Sequence, residues 1–150
     1  MTDKMEITDR KGWMSLLAKA PPAELARLWD AFGEAPDYSY LRPPEVGGVM
    51  VRGRTGATGA PFNLGEMTVT RCSLRLQSGE VGHGYVQGRG KVHATQAALI
   101  DALMQTDRAE VLRAAVLDPL REALQASRAA RAEKAAATKV DFFTMVRGED

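Results

Sequence analysis

Residues suited to soft-ligand or covalent chemistry are scarce in this sequence. Its single cysteine, Cys72, excludes an intramolecular disulfide, and it has only two histidines, His83 and His93. Stable zinc sites draw several Cys or His ligands at close spacing. These three residues show no such spacing, so no metal site or cofactor of the chain's own is expected. No apolar run approaches the roughly 18 residues that cross a bilayer, and residues 1–14 are too charged for a signal peptide. A cytoplasmic protein with no membrane contact is expected. Aromatic residues make up 6% of the chain, few are interleaved with basic ones, and the pI is about 7.9, which argues against a nucleic-acid partner. Neither histidine has a legible nucleophile or orienting carboxylate, so no catalytic residue is assigned.

What remains is the composition of one ordinary globular domain. The chain has 150 residues, 45% hydrophobic and 26% charged, enough for a single core. Trp13, Leu16, Leu17 and Ala20 recur at helical spacing and predict a first helix over 8–20, ended by Pro21-Pro22. Leu25, Leu28, Trp29 and Phe32 predict a second, completing a helical hairpin. Residues 34–48, with three prolines and two glycines, read as an extended connector. Further helices are expected over 91–105 and from Asp107, with Pro119 restarting or kinking the last. The fold class is therefore α+β: an N-terminal helical hairpin, a central antiparallel sheet containing a hairpin, C-terminal helices and a strand-like tail.

The centre carries the charge. From Arg42 to His93 there are seven Arg or Lys and three Glu, a balance of +4, leaving −3 for the rest of a chain whose net charge is +1. Such a patch suits an anionic ligand or an acidic protein surface, or it is a solvated face. Val49 to Arg54 alternates as a half-buried strand does, placing Arg52 and Arg54 on one side. The following glycine-rich loop, 53–63, can cradle phosphate or contact a partner. It lacks the Gly-Lys-Ser/Thr of a P-loop and the spacing of a dinucleotide fingerprint. A two-residue turn at Ser78-Gly79 predicts a hairpin with Gln77 opposite Glu80. In that register His83 faces Leu74, while Arg75, Ser73 and Arg71 face Gly82, Gly84 and Val86, with Arg89 opposite Thr68. Glycines beside long basic residues mark either a close approach by a backbone or ligand, or a bend. The candidate contact residues are Arg52, Arg54, Arg71, His83 and Arg89, joined by Phe142 and Phe143. The last two sit in an apolar run after a polar helix, so 138–150 reads as an added strand or as a subunit-binding arm.

Several stretches are specific: Leu41-Arg-x-Pro-Glu45, Val49-Met-Val-Arg-Gly-Arg54, Gly59-x-Pro-Phe-Asn-Leu-Gly-Glu-Met-Thr-Val-Thr-Arg-Cys72, Gly84-Tyr-Val-Gln-Gly-Arg89 and Asp141-Phe-Phe-Thr-Met-Val-Arg-Gly148. Together these resemble the PhnG family, the G subunit of the bacterial carbon-phosphorus lyase core complex. The resemblance implies a non-catalytic, structural subunit that joins H, I and J subunits in phosphonate catabolism. There the complex forms ribose 1-alkylphosphonate 5-triphosphate from ATP and an alkylphosphonate, and the J subunit carries an iron-sulfur cluster and SAM. The isolated chain is then expected to be inactive. The alternative is an independent nucleotide- or phosphonate-binding enzyme that uses the glycine-rich loop and the arginines.

Overall fold

The computed structural model describes the backbone of residues 9–54, 59 and 61–148, and the side chains within those spans except 52, 54, 61–64 and 138–148. Helix α1, Arg10–Lys19, starts where the Asp9 carboxylate accepts the Gly12 N–H at 2.8 Å, a capping contact that satisfies an otherwise orphaned donor. It buries Trp13, Leu16 and Leu17. Helix α2, Pro22–Phe32, has proline in its first turn and ends at Gly33, whose φ of 79° closes the helix in the left-handed conformation. Both helices lie where the apolar spacing predicts them.

The sheet has three antiparallel strands in the order β1-β2-β3: β1 Tyr38–Arg54, β2 Pro61–Leu76 and β3 Val81–Gln87. Of the expected connector over 34–48, residues 34–37 do connect, while 38–48 are in fact the first part of β1. Proline is tolerated there because β1 is an edge strand and its register shifts between Tyr40 and Arg42 and between Arg42 and Glu45. Strand pairing also continues to Arg54 and Pro61, shortening the glycine-rich loop to 55–60, of which only Gly59 is among the described residues. Since β3 pairs β2 over 69–75 alone, the strand segments beyond form a two-stranded ribbon.

The β2–β3 register differs from the expected one by a single residue. Ser73 pairs with His83, Leu74 with Gly82 and Cys72 with Gly84. The turn has three residues, not two: Gly79 N–H donates to Leu76 O at 2.9 Å, Leu76 N–H donates to Glu80 O at 2.8 Å, and Gly79 sits at φ 112°. A slip of one residue exchanges the partners across the two faces. Gly82 and Gly84 therefore stand beside buried Leu74 and Cys72 and not beside the arginines. A Cβ on Gly82 would lie 2.0 Å from Ala98 O, and one on Gly84 2.1 Å from Ala94 O. The close approach anticipated at these glycines is made by this chain's own helix α3, Lys91–Leu103. They are its seat, not a docking surface.

Helix α3 is the centre of the core. Ala94, Ala98 and Ala102 recur every four residues along the side that meets the glycines, while Leu99, Ile100 and Leu103 are buried in the same core as α1 and α2. The free edge of β3 is covered rather than left for pairing. Asp101, fully buried on α3, accepts the His83 backbone N–H at 2.9 Å, Trp13 Nε1–H at 2.8 Å, Arg10 Nε–H at 3.1 Å and Arg10 Nη2–H at 2.8 Å. Gln105 Nε2–H donates to Val81 O at 2.9 Å.

His93, also buried, ties α3 to α1. Its Nε2–H donates to Leu17 O at 2.9 Å, and its Nδ1 has no partner among the described residues. Burial lowers its pKa, which the Leu17 bond only partly opposes. The unfolded chain therefore binds a proton near pH 6.5 that the folded chain resists. This contribution to stability is complete above that pH and is lost as the pH falls below it. We expect the melting temperature to drop between about pH 7.5 and pH 5.5 by more in the wild type than in His93→Gln, which keeps a donor and cannot titrate. Parallel pH profiles for the two proteins would contradict this assignment.

After α3 the chain forms α4, Ala109–Leu112, a π-helical turn over Arg113–Leu117, and α5, Asp118–Gly148. The π turn lies just ahead of Pro119, whose missing N–H and ring cannot fit a continuous α-helical ladder. Leu120 and Leu124 anchor the start of α5 in the core, but every side chain from Ala126 to Ala137 is exposed. The backbone of the tail stays helical to Gly148. This corrects the strand-like reading of Val140 to Val146. The alanine-rich segment before it propagates a helix that the β-branched and aromatic residues do not interrupt.

Candidate functional site

Because the helices cover one face of the sheet, the other face presents the side chains that alternate with the glycines. Three strands place three residues in a row across it: Arg42 of β1 is opposite Ser73 of β2, which is opposite His83 of β3. The adjacent row is Glu45, Arg71 and Tyr85. Arg42, Arg71, His83 and Tyr85 are exposed and Ser73 is half-buried. Between the rows lies an open groove of about 450 Å³, walled by Leu41 and Tyr85 and lined by Arg42, Arg71, Ser73 and His83. A second groove beyond Arg42 and Arg71 brings in Lys91 and Glu45.

Ser73 Oγ lies 2.9 Å from His83 Nδ1. A serine and a histidine in contact are two parts of a nucleophilic triad, but no third is supplied among the described residues. The nearby carboxylate, Asp101, accepts the backbone N–H of His83, not its ring. Among the described residues no group of three His, Cys, Asp or Glu is placed to hold a metal. Cys72 is buried behind the groove and burial pushes its thiol pKa up, opposed in part by Thr95, so it is not an activated nucleophile. What the groove can do is bind negative charge. Among the described residues Arg42 pairs only with Glu45, at 4.0 Å and largely in water, a contact worth little. Arg71 makes no ion pair among the described residues.

Of the residues singled out in the sequence, Arg71 and His83 share this face, in neighbouring rows rather than on opposite sides of the sheet. Arg89 lies past the end of β3, exposed and outside the groove, and has no strand partner at Thr68. Arg52 and Arg54 are in the ribbon, paired with Asn63 and Pro61. Their side chains lie outside the described residues, as do those of Phe142 and Phe143, which belong to α5. Ser73 and Tyr85 escaped the sequence reading because their contribution depends on register. The signal that sets it is present: Gly82-x-Gly84 alternates with His83 and Tyr85, so a helix seated on the glycines turns those two outward. Among the described residues no helix is long and apolar enough to cross a membrane.

Comparison with known proteins places these features in context. A family profile described as phosphonate metabolism protein PhnG matches residues 8–148. A curated protein of Rhizobium meliloti (strain 1021), named alpha-D-ribose 1-methylphosphonate 5-triphosphate synthase subunit PhnG, is 46% identical over 149 residues, covering 99% of this chain and 96% of that protein.

Proposed function

We propose that this chain, which belongs to the PhnG family of phosphonate metabolism proteins, serves as an accessory subunit of a synthase complex in phosphonate catabolism and does not itself carry out the chemistry. The observation that carries the reading is α5. A helix exposed on all sides from Ala126 to Ala137 gains nothing from burial, and isolated helices are marginal in water. A surface that completes it belongs to another subunit. The sequence places Val140, Phe143 and Val146 three residues apart at its end, a spacing that suits a helix laid into an apolar groove.

The partners we propose are the H, I and J subunits of the carbon-phosphorus lyase core complex. The test is co-expression of a tagged chain with those subunits, comparing the full chain with one truncated after Lys139 and recording the mass and composition of what co-purifies. A discrete complex with the full chain is expected, together with at least about tenfold less complex from the truncated one, the loss that about 1.4 kcal/mol of binding produces. The truncated chain should keep the melting temperature of the full one, since the core lies before Gln125. A well-behaved full chain that ignores the other subunits would sink the subunit reading. Equal recovery with and without residues 140–150 would sink the role given to the arm.

A further inference from the structure

We infer that the groove on the open sheet face, between Arg42, Arg71 and His83, is a binding site for a tetrahedral oxyanion, the phosphonyl or phosphoryl group of a small molecule. This rests on the geometry of the groove and not on the subunit reading. Arg42 and Arg71 line it from different strands, and each guanidinium offers a planar fork of N–H donors. The Ser73 hydroxyl can donate to His83 Nδ1 at 2.9 Å, which leaves the imidazole proton on Nε2 as a further donor. Tyr85, which lines the groove, carries a further hydroxyl. With Lys91 past Arg71, and Glu45 the only carboxylate among the described residues lining either groove, cations outnumber anions three to one.

The shape favours a small ligand over an acidic protein segment. About 450 Å³ falls within the range of sites for metabolites, and its walls are Leu41 and Tyr85, 52% and 44% exposed, which suit the alkyl or sugar part attached to the anion. The donors stand on paired strands rather than on loops. The site is therefore largely formed before binding, which lowers the ordering cost.

Because the chain has only two histidines and one is buried, the ring proton resonances of the untagged full-length protein give a direct readout. His83 reports the groove, and His93 serves as an internal reference. Methylphosphonate, inorganic phosphate and ATP are titrated at constant ionic strength, with chloride as the control. We expect the His83 resonance to move saturably with methylphosphonate or phosphate while His93 stays fixed. ATP acting more strongly than either would assign the anion to a nucleotide, and methylphosphonate acting more strongly would assign it to the phosphonate. Arg71→Gln and Arg42→Gln should each raise the Kd by about tenfold, the effect of one charge-assisted hydrogen bond. Arg89→Gln, outside the groove, should leave it unchanged. A His83 response no larger than chloride produces, or one untouched by both groove variants, overturns the proposal. So does a groove silent to all three ligands whose variants instead reduce co-purification of the other subunits, since it would then be a contact for an acidic protein surface.

Discussion

Asp101→Ala should be among the most damaging single changes in this chain, costing about 4 kcal/mol. The carboxylate is fully buried and accepts four N–H groups drawn from α1 and β3. Removing it leaves Trp13 Nε1–H and the His83 backbone N–H without an acceptor, at about 1–3 kcal/mol each, and strips Arg10 of its carboxylate partner, leaving it the Val81 carbonyl. Arg10→Ala takes the counter-charge and two of the four donors from a carboxylate that stays buried, leaving it only Trp13 Nε1–H and the His83 backbone N–H, and should cost about 3 kcal/mol. Asp101→Asn should fall near alanine, since its amide NH2 would confront other donors. Urea denaturation of the three variants measures this order. A loss below about 1 kcal/mol for Asp101→Ala would mean that something else fixes β3 against α1.

Gly84→Ala and Gly82→Ala should each cost at least about 3 kcal/mol or prevent soluble expression. The added methyl at Gly84 meets Ala94 O at 2.1 Å and Ala98 N at 3.1 Å. At Gly82 it meets Ala98 O at 2.0 Å and Ala102 N at 2.8 Å. All four are backbone atoms of α3, so relief requires lifting the helix away from the sheet and opening the core. Two other glycines separate this effect from the general cost of replacing glycine. A Cβ at Gly47 meets nothing within 4 Å, and one at Gly48 meets the end of the Glu66 side chain at 2.6 Å, which can swing aside. Alanine at either should change stability by about 0.5 kcal/mol or less. Soluble yield followed by chemical denaturation decides the matter. A Gly84→Ala protein as stable as Gly47→Ala would show that α3 does not lie against β3 as described.

The same glycines explain what the sequence could and could not disclose. Helices α1, α2 and α3 are legible because burial on one side imprints a helical period, and prolines and Gly33 mark their ends. The first half of β1 is not, because Pro43 and Pro44 signal against a strand unless the strand is known to lie at an edge and to carry bulges. The β2–β3 hairpin is legible as a hairpin, yet its register turned on whether Gln77 belonged to the strand or the turn. That single residue decided whether His83 lay with Arg71 or behind it. Arg71 and His83 could be selected by residue type alone. The groove they form with Arg42, Ser73 and Tyr85 could not, because it exists only once three strands are aligned. The tail misled for the opposite reason: local β propensity in Val140 to Val146 is weaker than the tendency of an established helix to continue.

The length of α5 has a mechanical meaning. Its 24 residues after Leu124 span about 36 Å at 1.5 Å per residue. A flexible linker of equal length would let its tip wander, and each attachment would form almost independently of the other. On the role proposed above, α5 held helical against another subunit would instead commit its tip to one place once the body has docked, so that body and tip would act as a bivalent ligand with a fixed spacing. A single helix-breaking proline midway along the exposed stretch would then uncouple the two holds without removing a contact from either.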